Sequence, residues 1–142
     1  MKKTFCRKIL STNDMKPNLT RPLIIFDLET TGFSADVDNI IEIGAVKVGG
    51  GQIVDRFSTF VNPKVPIPFR IENLTGISDA MVLDAPVIDE ILPKFLEFCE
   101  GSAVVAHNAD FDTSFVINKA AKMGIDWNPT IIDTVLLGQF VI

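Results

Sequence analysis

Apolar residues in this chain fall into short runs and two helical stripes, divided by breaks rich in Gly and Pro. RPLIIFDLE (21–29) is apolar at almost every position before its acids, the pattern of a central strand covered on both faces. NIIEIGAVKVGGGQIVDRFSTFVNP (39–63) reads as two β-rich strands joined at Gly49-Gly50-Gly51, a hairpin signal. PKVPIP is extended and excluded from a sheet interior. IENLTGISDAMVLDAP predicts irregular chain with one short helical turn before Gly76. In VIDEILPKFLEFCEG, Ile88, Ile91, Leu92, Phe95, Leu96 and Cys99 recur at helical spacing, and Gly101 marks a stop. Pro93 inside that stripe predicts either a kink or a first turn that starts late.

SAVVAH predicts a short buried strand. NADFDTSFVINKAAKMG predicts a helix capped at Asn108 and ended at Gly124. TIID is a further short strand, and TVLLGQFVI opens another helix. The order is β-β-β-α-β-α-β-α. It implies an α/β domain with a mixed sheet, an antiparallel hairpin beside parallel strands, and helices packed on its faces.

With 142 residues, 47% of them hydrophobic, the chain suffices for one folded domain. No apolar stretch approaches the length of a membrane span, and MKKTFCRKIL lacks the sustained apolar core of a signal peptide. Cys6 and Cys99 form neither a disulfide framework nor a metal-ligand spacing, so a reduced, cytoplasmic setting is expected, with no membrane partner. The net charge of −5 is uneven. Residues 1–22 hold six Lys and Arg against Asp14, a net +5 that leaves −10 for the remainder. Residues 1–20 therefore read as a basic leader or linker, or as an arm that touches phosphates. The acidic body opposes a sequence-independent DNA clamp, so any approach to nucleic acid needs cations or other modules to neutralise it.

LIIFDLETTG (23–32) is the chemically pointed stretch. Alternation puts Asp27 and Glu29 on one face of a strand and Phe26 and Leu28 on the other. Two like charges there repel and lose hydration, which a hard divalent cation between them would relieve. Taken alone, Asp-x-Glu after an apolar run is a common pattern that favours an exposed strand end with both acids facing water. VVAHNADFD adds Asp110 and Asp112 in the first turn of a helix leaving another strand. Helical residues two apart diverge by roughly 200°, so only one of them can face the site. Flanking Phe115 and Val116 favour Asp112 as the inward one, while either acid also suits a helix N-terminus.

FDLETTG and VAHNADFD, in this order and separation, resemble the first two motifs of the DEDD (DnaQ-like) 3′–5′ exonucleases, which have an RNase H-like fold. IIEIGAVKV, FVNPKVPIP and LTGISDAMVLDAP are similar to the same family, especially to exonuclease modules of PolC-type bacterial replicative polymerases. The resemblance covers residues 21–142. It implies that Asp27, Glu29 and Asp112 are ligands for two Mg²⁺ or Mn²⁺ ions, with no small-molecule cofactor. Two such ions, about 3.5–4 Å apart, activate water, hold the scissile phosphate and stabilise the leaving oxygen. It further implies that Thr30, Thr31, Gly32 and Phe33 line the pocket for the terminal nucleotide, with Leu74 and Thr75 packing against its base or sugar. Leu74 equally suits a core contact, and Thr30 a turn-forming hydroxyl.

His107 is expected to pack and hydrogen-bond near the site, with substrate contact as the lesser role. Glu42 reads as a half-exposed strand carboxylate, and Asp133 as an N-cap.

The family's third motif, a His followed five residues later by an Asp on a later helix, would supply the general base and the fourth carboxylate. It lies beyond the residues of this sequence, which therefore reads as a partial domain, incomplete at its C-terminus, and as weak or inactive alone. The implied function is removal of nucleotides from single-stranded DNA 3′ ends, as proofreading linked to a polymerase subunit or a fused polymerase domain. A ribonuclease of the same fold that trims RNA 3′ ends, and a catalytically silent module binding nucleic acid or protein, are the alternatives.

Overall fold

A computed structural model of the chain describes residues 21–135. The basic leader and the body of the helix expected after Thr134 lie outside the described residues. Five strands form one sheet: β1 (Leu23–Thr30), β2 (Ile40–Gly49), β3 (Gln52–Phe60), β4 (Ala103–Ala106) and β5 (Ile131–Asp133). Their order is β3-β2-β1-β4-β5. The hairpin pairs are antiparallel, whereas β4 and β5 add in parallel beside β1. This is the mixed sheet that the strand pattern predicts.

The hairpin turn follows its glycines. Gly49 pairs with Gln52, which leaves a two-residue turn, Gly50-Gly51, with φ of 59° and 78°. A tight turn matched to the strand twist needs positive φ at both positions, and glycine adopts it without a Cβ clash.

Four helices are described: α1 (Phe69–Thr75), α2 (Asp79–Val82), α3 (Ile88–Cys99) and α4 (Ala109–Lys122). The stretch expected to be mostly irregular thus holds two short helices. α1 closes on Gly76 in the left-handed region, and Ser78 caps α2. They shelter a small core of Ile41, Ile67, Ile71, Ile77 and Val82. α3 begins at Ile88, so Pro93 does not delay its first turn, and the ring lies on the exposed side.

α3 and α4 share one face of the sheet. Phe95, Phe115 and Val116 interlock there with Ile24, Phe26, Leu28, Ile43 and Val104. Phe95 meets Phe26 at 5.6 Å and Phe57 at 5.5 Å between ring centroids. The expectation that both faces of β1 are covered is corrected in part. The strand is central, yet among the described residues only its Ile24-Phe26-Leu28-Thr30 face is buried. Ile25 is 45% exposed. An apolar run records burial on average, and β-branched residues also suit a half-open strand.

Candidate active site

The open face of β1 carries the two acids. Asp27 stands opposite Gly44 on β2, and Glu29 opposite Glu42. Directly paired strand residues project to the same side, so Glu42 joins Glu29 across the ladder. After Glu29 the register slips, and the strand ends at Thr30. Beside Asp27 the open face forms a groove of about 580 Å³ lined by Ile25, Gly44, Val46, His107 and Thr134.

Asp112 arrives from α4, on the neighbouring element. It is 4% exposed, whereas Asp110 is half-buried, so the helix turns Asp112 inward as its neighbours suggest. Burial first, then the charges of Asp27 and Glu29, push the Asp112 carboxyl up to about 7. Burial, Asp27 and Glu42 likewise raise Glu29. The carboxylates are thus close enough to repel one another, with no positive group among the causes of either shift. Their oxygens suit a hard cation. Among the described residues, however, no three His, Cys, Asp or Glu side chains close into a ready grip on one ion.

The start of α4 is set by a residue far along the chain. Asn108 occupies the cap position in a left-handed conformation, but its side chain caps nothing. Instead Asp133, at the end of β5, accepts from the Ala109 amide through Oδ2 at 2.9 Å. Its Oδ1 accepts from the Val135 amide at 2.9 Å, the N-cap bond expected of it. One buried carboxylate therefore fastens two helix starts to adjacent strand ends, and with them the register of Asp112.

The segment after β1 is tightly folded. Thr30 Oγ1 donates to the Gly32 carbonyl at 2.6 Å, the turn-forming role. The Thr31 hydroxyl accepts from the Asn39 amide at 3.0 Å. Gly32 lies against the Asp38 carboxylate, and a Cβ there would collide with it. Phe33 is 67% exposed, edge-on to Phe111, with the Arg70 guanidinium 5.7 Å above its ring. Leu74, one turn beyond Arg70 on α1, is 72% exposed, so it is no core contact. Thr75 serves its own helix end, donating to the Ile71 carbonyl and accepting from the Ile77 amide.

His107 precedes Asp112 by five residues, but it sits exposed in the turn before α4 rather than on a helix. Its Nδ1 is 3.0 Å from Thr134 Oγ1, a hydrogen-bonding place beside the site rather than a packed one. Asp133's bond to Ala109 and the Arg70–Phe33 pair had no local signal, because each joins segments distant in sequence.

Two strand acids and a buried helix acid thus lie close together on a mixed five-stranded sheet with flanking helices, the RNase H-like fold of exonucleases. Residues 24–142 match the exonuclease (RNase_T) family, and the chain belongs to it. Among its relatives are DNA polymerases III of PolC type. That of Caldanaerobacter subterraneus subsp. tengcongensis is 52% identical over 128 residues, which are 90% of this chain and 9% of that protein. That of Clostridium perfringens is 52% identical over 118 residues, 83% of this chain and 8% of that protein. The chain thus spans under a tenth of the length of these relatives. Exonuclease X in complex with 5′ overhanging duplex DNA superposes with a TM-score of 0.67 at 32% identity, over 84% of this chain and 63% of that one. Product-bound exonuclease I superposes with a TM-score of 0.75 at 13% identity, over 83% of this chain and 31% of that one, a likeness of fold alone.

Proposed function

We propose that this domain hydrolyses the terminal phosphodiester at the 3′ end of single-stranded DNA with two Mg²⁺ or Mn²⁺ ions, as proofreading beside a replicative polymerase inside the cell. The observation that carries the reading is the convergence of Asp27, Glu29 and Asp112 from a strand and a helix, in a member of the exonuclease family. When bound, the cations supply Lewis acidity and an activated water.

The chain's own residues do the rest. Asp27 and Glu29 would hold the ions from the open strand face. Asp112, its carboxyl pushed up to about 7 by burial and by the charges of Asp27 and Glu29, would hold them from the helix side. Thr30, Thr31 and Gly32 form the backbone wall of the terminal-nucleotide pocket, and exposed Phe33 and Leu74 give its base apolar surface. Arg70, held over Phe33, brings a cation to an otherwise acidic rim. Thr75 and His107 act at the pocket's edge through the hydrogen bonds described above. His107, the one histidine of the sequence, lies against Thr134 beside the site.

Calorimetry with Mn²⁺ and digestion of a 3′-labelled single-stranded oligonucleotide test this reading. Mn²⁺ is expected to bind, and Asp27→Ala to weaken it at least ~100-fold. EDTA is expected to stop the release of mononucleotides. Unchanged Mn²⁺ affinity in Asp27→Ala would overturn the site, and preferred release from RNA 3′ ends would overturn the substrate.

A further inference from the structure

We infer that Lys119 is a positioning residue, which locks the loop after β1 to the helix that carries Asp112 and so sets the distance between the nucleotide pocket and the carboxylates. The inference rests on the proposed function for its catalytic consequence, and on contacts alone for its mechanical part.

Lys119 is 7% exposed. Its Nζ donates to the backbone carbonyl of Asp38 at 2.7 Å. A buried lysine loses hydration, and burial accordingly lowers its proton affinity, an effect that Asp38 and Asp36 offset in part. Such a residue is an expensive way to fill space and an effective way to fix one carbonyl. Two neighbours repeat the contact. Lys122 Nζ donates to the Asp36 carbonyl at 3.2 Å, and Asn118 Nδ2 donates to Asp36 Oδ1 at 2.9 Å. Asn118 must turn its amide nitrogen to Asp36 for this, and its buried Oδ1 is left without a hydrogen-bond partner among the described residues.

The loop end of the lock is equally built. The Asp38 carboxylate accepts from the Thr31 hydroxyl at 3.3 Å and from the Ser34 amide at 3.0 Å. The Thr31 amide donates to the Asn39 carbonyl at 2.8 Å. Asp38 also fills the space over Gly32 that a side chain there would need. Whatever holds Asp38 therefore holds Thr31, Gly32 and Ser34. On α4, Asp112 and Lys119 are seven residues apart, which places them on nearly the same face about 10 Å apart along the axis. One rigid helix thus touches the site at both ends, the carboxylates through Asp112 and the pocket loop through Lys119.

The test compares the full chain with Lys119→Met, which keeps the apolar stem, and Lys119→Arg, whose guanidinium can still reach the carbonyl. Hydrogen exchange needs no activity. Amides of residues 31–39 are expected to exchange at least ~10-fold faster in Lys119→Met, with β1 and β2 amides unchanged and Lys119→Arg near wild type. In Mn²⁺-supported digestion, kcat is expected to fall about 10–100-fold in Lys119→Met, with Mn²⁺ affinity unchanged and recovery in Lys119→Arg. Loop protection that is unchanged in Lys119→Met overturns the lock. A loosened loop with unchanged kcat overturns its catalytic consequence, whereas an inactive wild-type chain counts against the proposed function and leaves exchange to decide the lock. Should Lys119→Met not fold, Lys119→Gln, a polar side chain of shorter reach, is read against the same expectations.

Discussion

The two faces of β1 are built from alternate residues of one apolar run, and they serve opposite ends. Ile24, Phe26 and Leu28 vanish under α3 and α4, in a core held by Phe95 and Phe115. Ile25, Asp27 and Glu29 look the other way, the first two onto the groove. The first face stabilises the strand by removing apolar surface from water, about 25 cal/mol for each Å². The second spends part of that stability on like charges brought together. A carboxylate pair can be kept in place on a strand because the residues between and beside it are clamped from behind.

Substitutions on neighbouring positions sharpen the contrast. The largest effect is expected at Ile24→Ala, fully buried, at about 2–5 kcal/mol of unfolding free energy in urea denaturation. A loss below about 1 kcal/mol would show that the core closes around the gap and that this face yields readily.

Next comes the charge itself. The Asp112 carboxyl, raised to about 7, binds its proton more tightly in the folded state than in the unfolded one, where a carboxyl titrates near 4. The folded protein then carries more protons between about pH 4 and pH 7, so metal-free stability falls as pH rises through that window. Glu29 shifts in the same direction. Asp112→Asn should remove the loss, stabilising the protein in EDTA at pH 8 by up to ~4 kcal/mol while abolishing stabilisation by Mn²⁺. Thermal melts at pH 5 and pH 8, with and without Mn²⁺, check both. Equal metal-free stability at the two values would break the account of a strained site.

The smallest effect is expected one residue from the largest. Ile25→Thr, on the half-open face, keeps a β-branched side chain and should change stability by less than about 0.5 kcal/mol. A cost resembling that of Ile24→Ala would mean that the groove is covered in solution.

Much of this was legible along the chain. Strand alternation placed Asp27 and Glu29 together, and the apolar neighbours of Asp112 chose it over Asp110. The turn before Gly76 was legible as α1, whereas α2 escaped because it buries only Val82, too few residues to show a period. Leu74 could be read as core or surface, since a single apolar residue carries no direction. Asn108 looked like a cap by residue type, yet its left-handed backbone passes that duty to Asp133.

By itself the sequence determined the strands, the longer helices among the described residues and the hairpin turn. These follow from local geometry, with its fixed periods and the few residues that accept positive φ. Only the tertiary structure decided that one face of β1 stays open among the described residues. It also decided that Asp133 anchors α4 from 24 residues away, and that Lys119 reaches Asp38 across 81. Such contacts join groups whose spacing along the chain has no period. They exist only once the sheet has assembled and burial has made each unpaired donor or acceptor costly.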